Sequence, residues 1–130
     1  MTPVQQAETE RGRGDCLAAC VASVLDLPGA AVPNFRLADD QWAAMGEWLA
    51  GRGLTALIAS LDDAPSFPDG TWAIGVGQSP RCETLNHAAV GVVEQGRWTI
   101  RHDPHPAGGG LASDPVLLVV ITSPAPLDLG

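Results

Sequence analysis

Two strand-forming runs flank a short break in the second half of this chain. Ala88, Ala89, Val90, Gly91, Val92 and Val93 lie on one side, and Arg97, Trp98, Thr99, Ile100 and Arg101 on the other. Between them stand the turn formers Glu94, Gln95 and Gly96. Strand-forming residues flanking a glycine-containing turn of this length specify an antiparallel hairpin. A lone hairpin is marginal in water, so it requires further strands or a helix against its apolar face. The sequence supplies both. Residues 54–60 and 72–77 read as strands, and the apolar run 116–122 as a buried one.

The first fifty residues carry a different period. Cys16, Ala19, Cys20 and Val24 fall on one face at helical spacing, which predicts a helix over 16–25 with Asp15 at its N-cap. Leu27, Pro28 and Gly29 stop it, and 32–35 reads as an extended connector. A second helix is expected over 39–50, with Trp42, Met45 and Leu49 on its apolar face and Gly51 and Gly53 beyond its end. Residues 61–70 read as loop. Helices first and strands later imply one α+β domain, residues 1–130, with N-terminal helices packed on a small antiparallel sheet. A chain of 130 residues buries roughly 65–70% of its unfolded surface, enough for a core without staples.

Composition narrows the function classes. The formal charge is −8, and every one of the 7 basic residues is arginine. Such acidity argues against nucleic acid and against anionic membrane as partners, since both need clustered positive charge. No apolar run approaches the ~20 residues of a membrane helix, and residues 1–13 contain no signal-like apolar stretch. A cytoplasmic location is the expectation. With 3 cysteines the chain cannot close a complete disulfide set, so free thiols are expected and at least one requires another explanation.

Cys16 offers one. A thiol in the first turn of a helix faces unpaired backbone N–H groups and the positive end of the helix dipole, and both favour thiolate. The plainer alternative makes Cys16 a small buried apolar residue, as Cys20 one turn deeper is expected to be. The hairpin supplies a geometric test. With its turn centred on Gln95, His87 falls directly opposite Asp103, on one face of the sheet. A carboxylate there accepts Nδ1–H of the ring and stabilises the imidazolium. A one-residue slip of register brings His102 into that role instead. The plainer alternative leaves His87 at the edge of the core and Asp103 starting an Asp-Pro turn.

Taken together, a helix-start Cys, a strand-start His and an Asp closing the next strand are the order of a Cys-His-Asp constellation. Gln6, Gly14-Asp15-Cys16-Leu17-Ala18-Ala19-Cys20, Asn86-His87-Ala88-Ala89-Val90 and His102-Asp103-Pro104 resemble the papain-like cysteine peptidases. Within them the chain is most similar to the double-glycine leader peptidase domains of bacteriocin exporters and to small bacterial and phage relatives. The resemblance implies a papain-like fold with Cys16 as nucleophile, His87 as base and then acid, and Asp103 orienting the ring. It also implies that Gln6, or its neighbour Gln5, serves the oxyanion hole with the Cys16 backbone N–H. The family places that glutamine about five residues before the Cys, whereas here the polar stretch 7–13 intervenes.

The implied reaction is attack on an amide, peptide or thioester, on a small or carrier-bound substrate and without a cofactor, giving an acyl-enzyme. Water then makes the protein a peptidase or amidase, and an amine makes it an acyltransferase. Asn86 and His105 are expected at the substrate cleft. Two other readings are a non-catalytic peptide-binding domain and a structural zinc module built on Cys16, Cys20, Cys82 and His87. The pattern His102-Asp103-Pro104-His105-Pro106 also contains metal-ligand types. Gly108, Gly109 and Gly110 read as a mobile loop.

Overall fold

The computed structural model describes residues 1–10 and 13–123; two residues of the polar stretch, 11 and 12, lie outside them. Helix α1 (Cys16–Val24) and helix α2 (Gln41–Ala50) precede five strands. These are β1 (Thr55–Ala59), β2 (Thr71–Gln78), β3 (Asn86–Glu94), β4 (Arg97–His102) and β5 (Leu117–Thr122). The strands form one open antiparallel sheet in the order β1-β5-β2-β3-β4. The protein is therefore α+β, as its periodicities imply. No single helix among the described residues is long and apolar enough to cross a membrane.

The two helix starts differ in how they are capped. Asp40 caps α2 by accepting hydrogen bonds from Trp42 N and Ala43 N, so that helix begins two residues later than its apolar pattern suggests. Asp15 occupies the N-cap position of α1 but makes no cap bond. Its carboxylate instead accepts from the N–H groups of Ala7 and Glu8. Residues 61–70, expected as loop, contain the 3-10 turn Leu61–Ser66, held by the Asp63 carboxylate on Ser60 N.

The sheet has two packed faces. One carries Ile74, Val76, Ala88, Val90 and Val119 against α1, Phe35, Met45 and Leu49. The other carries Ala73, Val93, Leu118 and Val120 against Ala64, Phe67 and Trp98. On this second face the Trp98 indole donates Nε1–H to Ala73 O and lies over two glycines. A Cβ on Gly91 would sit 2.4 Å from the ring and 2.6 Å from Thr99 O, and one on Gly75 2.6 Å from the ring. These glycines are needed for a tryptophan to lie flat across β2 and β3.

The hairpin differs from expectation in register. Its turn has two residues, Gln95 (φ 52) and Gly96 (φ 75), and Glu94 pairs with Arg97. Gly91 pairs with Ile100, but Val90 pairs with His102, so Arg101 is the extra residue of a β-bulge. Direct opposition of His87 and Asp103 is thus incorrect. The tighter turn alone would have placed Asp103 on the Ala88 face. The extra residue reverses the alternation and returns Asp103 to the side of Ala89 and His87.

The packing of Trp98 yields a stability test. Gly91→Ala should lower stability by about 1–3 kcal/mol, because the indole and the Thr99 carbonyl both bar the new methyl group. Urea unfolding should show a lower midpoint at unchanged slope. A midpoint equal to that of the unaltered protein would mean the indole does not rest on this strand.

Candidate active site

The N-terminus of α1 and the start of β3 meet at a cleft of about 230 Å³, bordered by Cys16, His87, Gln6, Asn86 and His105. Its volume falls below the ~300–1,000 Å³ that encloses a whole drug-sized ligand, so it suits a small group or one end of a longer chain. Cys16, the first residue of α1, is half-buried. Burial is the largest influence on its thiol and pushes it above the ordinary cysteine range. The backbone N–H groups of Ala88 and Leu17, then the Arg36 charge, pull the other way without overcoming it. The expectation of a favoured thiolate is corrected here: depth in the fold outweighs the helix terminus, and the resting form is the thiol.

Ala88, whose backbone N–H acts on the thiol, is the residue next to His87 in β3. Among the described residues no hydrogen bond joins the thiol to the imidazole itself. His87 Nε2 instead lies 2.7 Å from Asp103 Oδ1. The predicted partners are therefore brought together, but through Nε2 rather than Nδ1. With Nε2–H given to the carboxylate, Nδ1 is the nitrogen left unprotonated in the neutral ring.

Asp103 accepts more than that one bond. Its Oδ1 also receives His105 N at 2.9 Å, and its Oδ2 receives Gly110 N at 2.7 Å. Burial works to raise its pKa, yet the bonds from His87, His105 and Gly110 together hold it below the usual carboxylate range. His87 moves down as well. Burial of the ring is the main cause, Asp103 opposes it, and the Arg81 and His105 charges add to it. The site at neutral pH therefore holds a carboxylate, a neutral imidazole and a thiol.

The three glycines expected to form a mobile loop are part of this arrangement. All are left-handed, at φ 69, 98 and 62, a run that side chains oppose. This path brings Gly110 N to Asp103 and Gly108 O to Arg81 Nη1 at 2.6 Å. Gly-Gly-Gly was the available signal, legible as a backbone need only once its partners are known.

The other predicted residues distribute as follows. Gln6 borders the cleft, whereas Gln5 is exposed and does not. Gln6 Nε2 donates to Glu8 O at 3.0 Å, and its Oε1 is buried without a partner. Asn86 is exposed on the rim. His105 stands edge-on to His87 with ring centroids 6.2 Å apart, and its Nδ1 accepts from Ala107 N. His102 points elsewhere and donates Nε2–H to Val4 O. Cys20 is fully buried in the core, and none of the three thiols is in a disulfide. Among the described residues no group of three or more His, Cys, Asp or Glu side chains is disposed to hold a metal ion. Arg36 and Arg81, which sequence reasoning passed over, also border the cleft. No protein-family model, curated protein or solved structure matches the chain.

The shift of His87 fixes a sign for stability against pH. Its folded pKa lies below the unfolded value near 6.5, so the unfolded chain takes the proton first. The associated stability is complete above about pH 6.5 and is lost as pH falls through the folded value. Asp103 acts in the same direction below its ordinary 3.8. The midpoint of urea unfolding should therefore fall between pH 7.5 and pH 5, and His87→Gln should remove part of that fall. An identical fall in the variant would assign the effect to other groups.

Proposed function

We propose that this protein is a papain-like cysteine hydrolase, a peptidase or amidase that works through an acyl-enzyme. The observation that carries the reading is the 2.7 Å contact of His87 Nε2 with the half-buried Asp103 carboxylate, beside a cleft that also exposes Cys16 at a helix start. An imidazole held by a carboxylate has one nitrogen left for a proton, and the sulfur on the same cleft has one to give.

In this mechanism neutral His87 takes the thiol proton at Nδ1 as the sulfur attacks a carbonyl carbon. Asp103 stabilises the imidazolium that results. Because the resting form is the thiol, proton removal accompanies attack, and His87 acts as a general base rather than as one half of a standing ion pair. The carbonyl oxygen becomes an oxyanion, with the Cys16 N–H and the second hydrogen of Gln6 Nε2 as its donors. His87 then protonates the leaving amine, and water hydrolyses the thioester. An amine in place of water gives acyl transfer from the same intermediate.

The test is alkylation by iodoacetamide at pH 7, followed at each cysteine by mass spectrometry. Cys16 should react fastest and buried Cys20 slowest. His87→Gln should slow Cys16 about 100-fold, the low end of general-base contributions. Cys16→Ala should remove any acyl adduct formed with activated esters. Labelling of Cys16 no faster than Cys82, and unaltered in His87→Gln, would defeat the assignment.

A further inference from the structure

The cleft differs in charge from the rest of the chain. The protein carries −8 overall, yet the cleft lining holds two guanidiniums, Arg36 and Arg81, against one carboxylate, Glu10, while the Asp103 carboxylate behind His87 is taken up by its own three hydrogen bonds. Asp15, next to the nucleophile, has its carboxylate committed to the N–H groups of Ala7 and Glu8. An acidic protein that turns arginines toward one concave site has made that site locally attractive to anions.

Arg81 is the better placed of the two. Its backbone N–H is held by Ser79 Oγ at 3.1 Å, and its Nη1 donates to Gly108 O at 2.6 Å. That is its only side-chain hydrogen bond among the described residues, and the acceptor is a neutral carbonyl, so no carboxylate cancels its charge. The guanidinium is thus oriented by the loop that also supports Asp103, while its fork retains donors of the geometry that carboxylates accept. Its charge reaches both rings, adding to burial in holding His87 and His105 below the ordinary histidine range. Arg36, from the turn Phe35–Leu37, acts on the Cys16 side of the cleft.

We infer that the substrate carries a carboxylate close to the bond that is broken, and that Arg81 is the specificity residue that receives it. The inference rests on the reading of Cys16 as the nucleophile. It narrows the substrate class to amides or acyl groups with a neighbouring acid, such as peptides with an acidic residue or a free C-terminus at the scissile position. The wall of the cleft suits the rest of such a substrate, with Leu17, Trp42 and Leu85 offering apolar contact.

Two reagents of nearly equal size test this without knowledge of the substrate. Iodoacetate and iodoacetamide both form an S–C bond at Cys16 with loss of iodide, but only the first carries a carboxylate. The ratio of their rate constants cancels the intrinsic reactivity of the thiol. At low ionic strength the ratio at Cys16 should exceed that of a neutral small-molecule thiol by about 10-fold, and it should fall toward that reference in 1 M salt, where screening acts within ~3 Å. Arg81→Gln should lower the ratio about 5-fold, whereas Arg97→Gln, an exposed arginine outside the cleft, should leave it in place. A ratio equal to the reference, or one that Arg81→Gln does not move, would overturn the inference. Failure of the nucleophile reading appears separately, as slow iodoacetamide labelling that His87→Gln does not change.

Discussion

The Asp103 carboxylate is the point on which the candidate site is built. The side chain is 9% exposed and receives three hydrogen bonds, from the His87 ring and from the backbones of His105 and Gly110. An ionised carboxylate at that depth is tolerable only when its lone pairs are occupied by well-placed donors. Each donor therefore does two things: it keeps Asp103 charged, and it fixes a piece of the site. His87 gains its orientation, the 103–105 turn its shape, and the glycine loop its closure. Arg81 is then placed through Gly108 of the same loop. Loss of any donor would leave a buried charge short of a partner and would loosen parts of the cleft that do not touch one another.

How these groups divide their protons follows from burial. Helix-start geometry favours a thiolate at Cys16, but removal from water disfavours it more. The ring of His87, also buried, resists a proton despite its carboxylate neighbour. Two desolvated groups of opposite type thus both rest in their neutral forms, with Asp103 the one standing charge among the three. A substrate carbonyl that draws the sulfur forward changes this balance, because the developing imidazolium then meets a carboxylate already in place. Little reorganisation is needed at that moment, which is the condition under which such a charge is most effective.

The sequence made some of this visible and hid the rest for physical reasons. Helix and strand periods depend on local spacing, so α1, α2, the hairpin and the buried strand β5 were all foreseeable, as was the union of His87 with Asp103. The register that unites them was not. Turn length and bulge depend on how Gln95, Gly96 and Arg101 are held by the whole sheet, and two departures from the expected pairing offset each other in their effect on Asp103. The direction of the imidazole, Nε2 toward the carboxylate, is likewise a property of the assembled site. The glycine run and Arg81 lay outside the motifs altogether, because their value comes from the partners they meet in the fold, Gly110 with Asp103 across the same connection and Arg81 with Gly108, 27 residues further along the chain. Apolar spacing says nothing of such partners.

The N-terminal segment shows why the unusual distance between Gln6 and Cys16 is compatible with their sharing one cleft. Thr2 N donates to Ser23 O, Val4 N to Ser23 Oγ, and Gln6 N to Pro104 O, while His102 donates to Val4 O. The segment thus runs between the end of α1 and the end of β4 and delivers Gln6 to the turn that contains Asp103. The chain must then return to begin α1. It does so through a loop closed at its base by Asp15 N on Glu8 O and by the Asp15 carboxylate on Ala7 and Glu8. A Cβ placed on Gly14 would come within 3.4 Å of Gln6 Nε2. Glu8 and Asp15 therefore lie side by side, and the length of chain between them is of small consequence for the cleft. Asp15, expected to cap a helix, is bonded to Ala7 and Glu8 instead, which is the reason its side chain is absent from the cap.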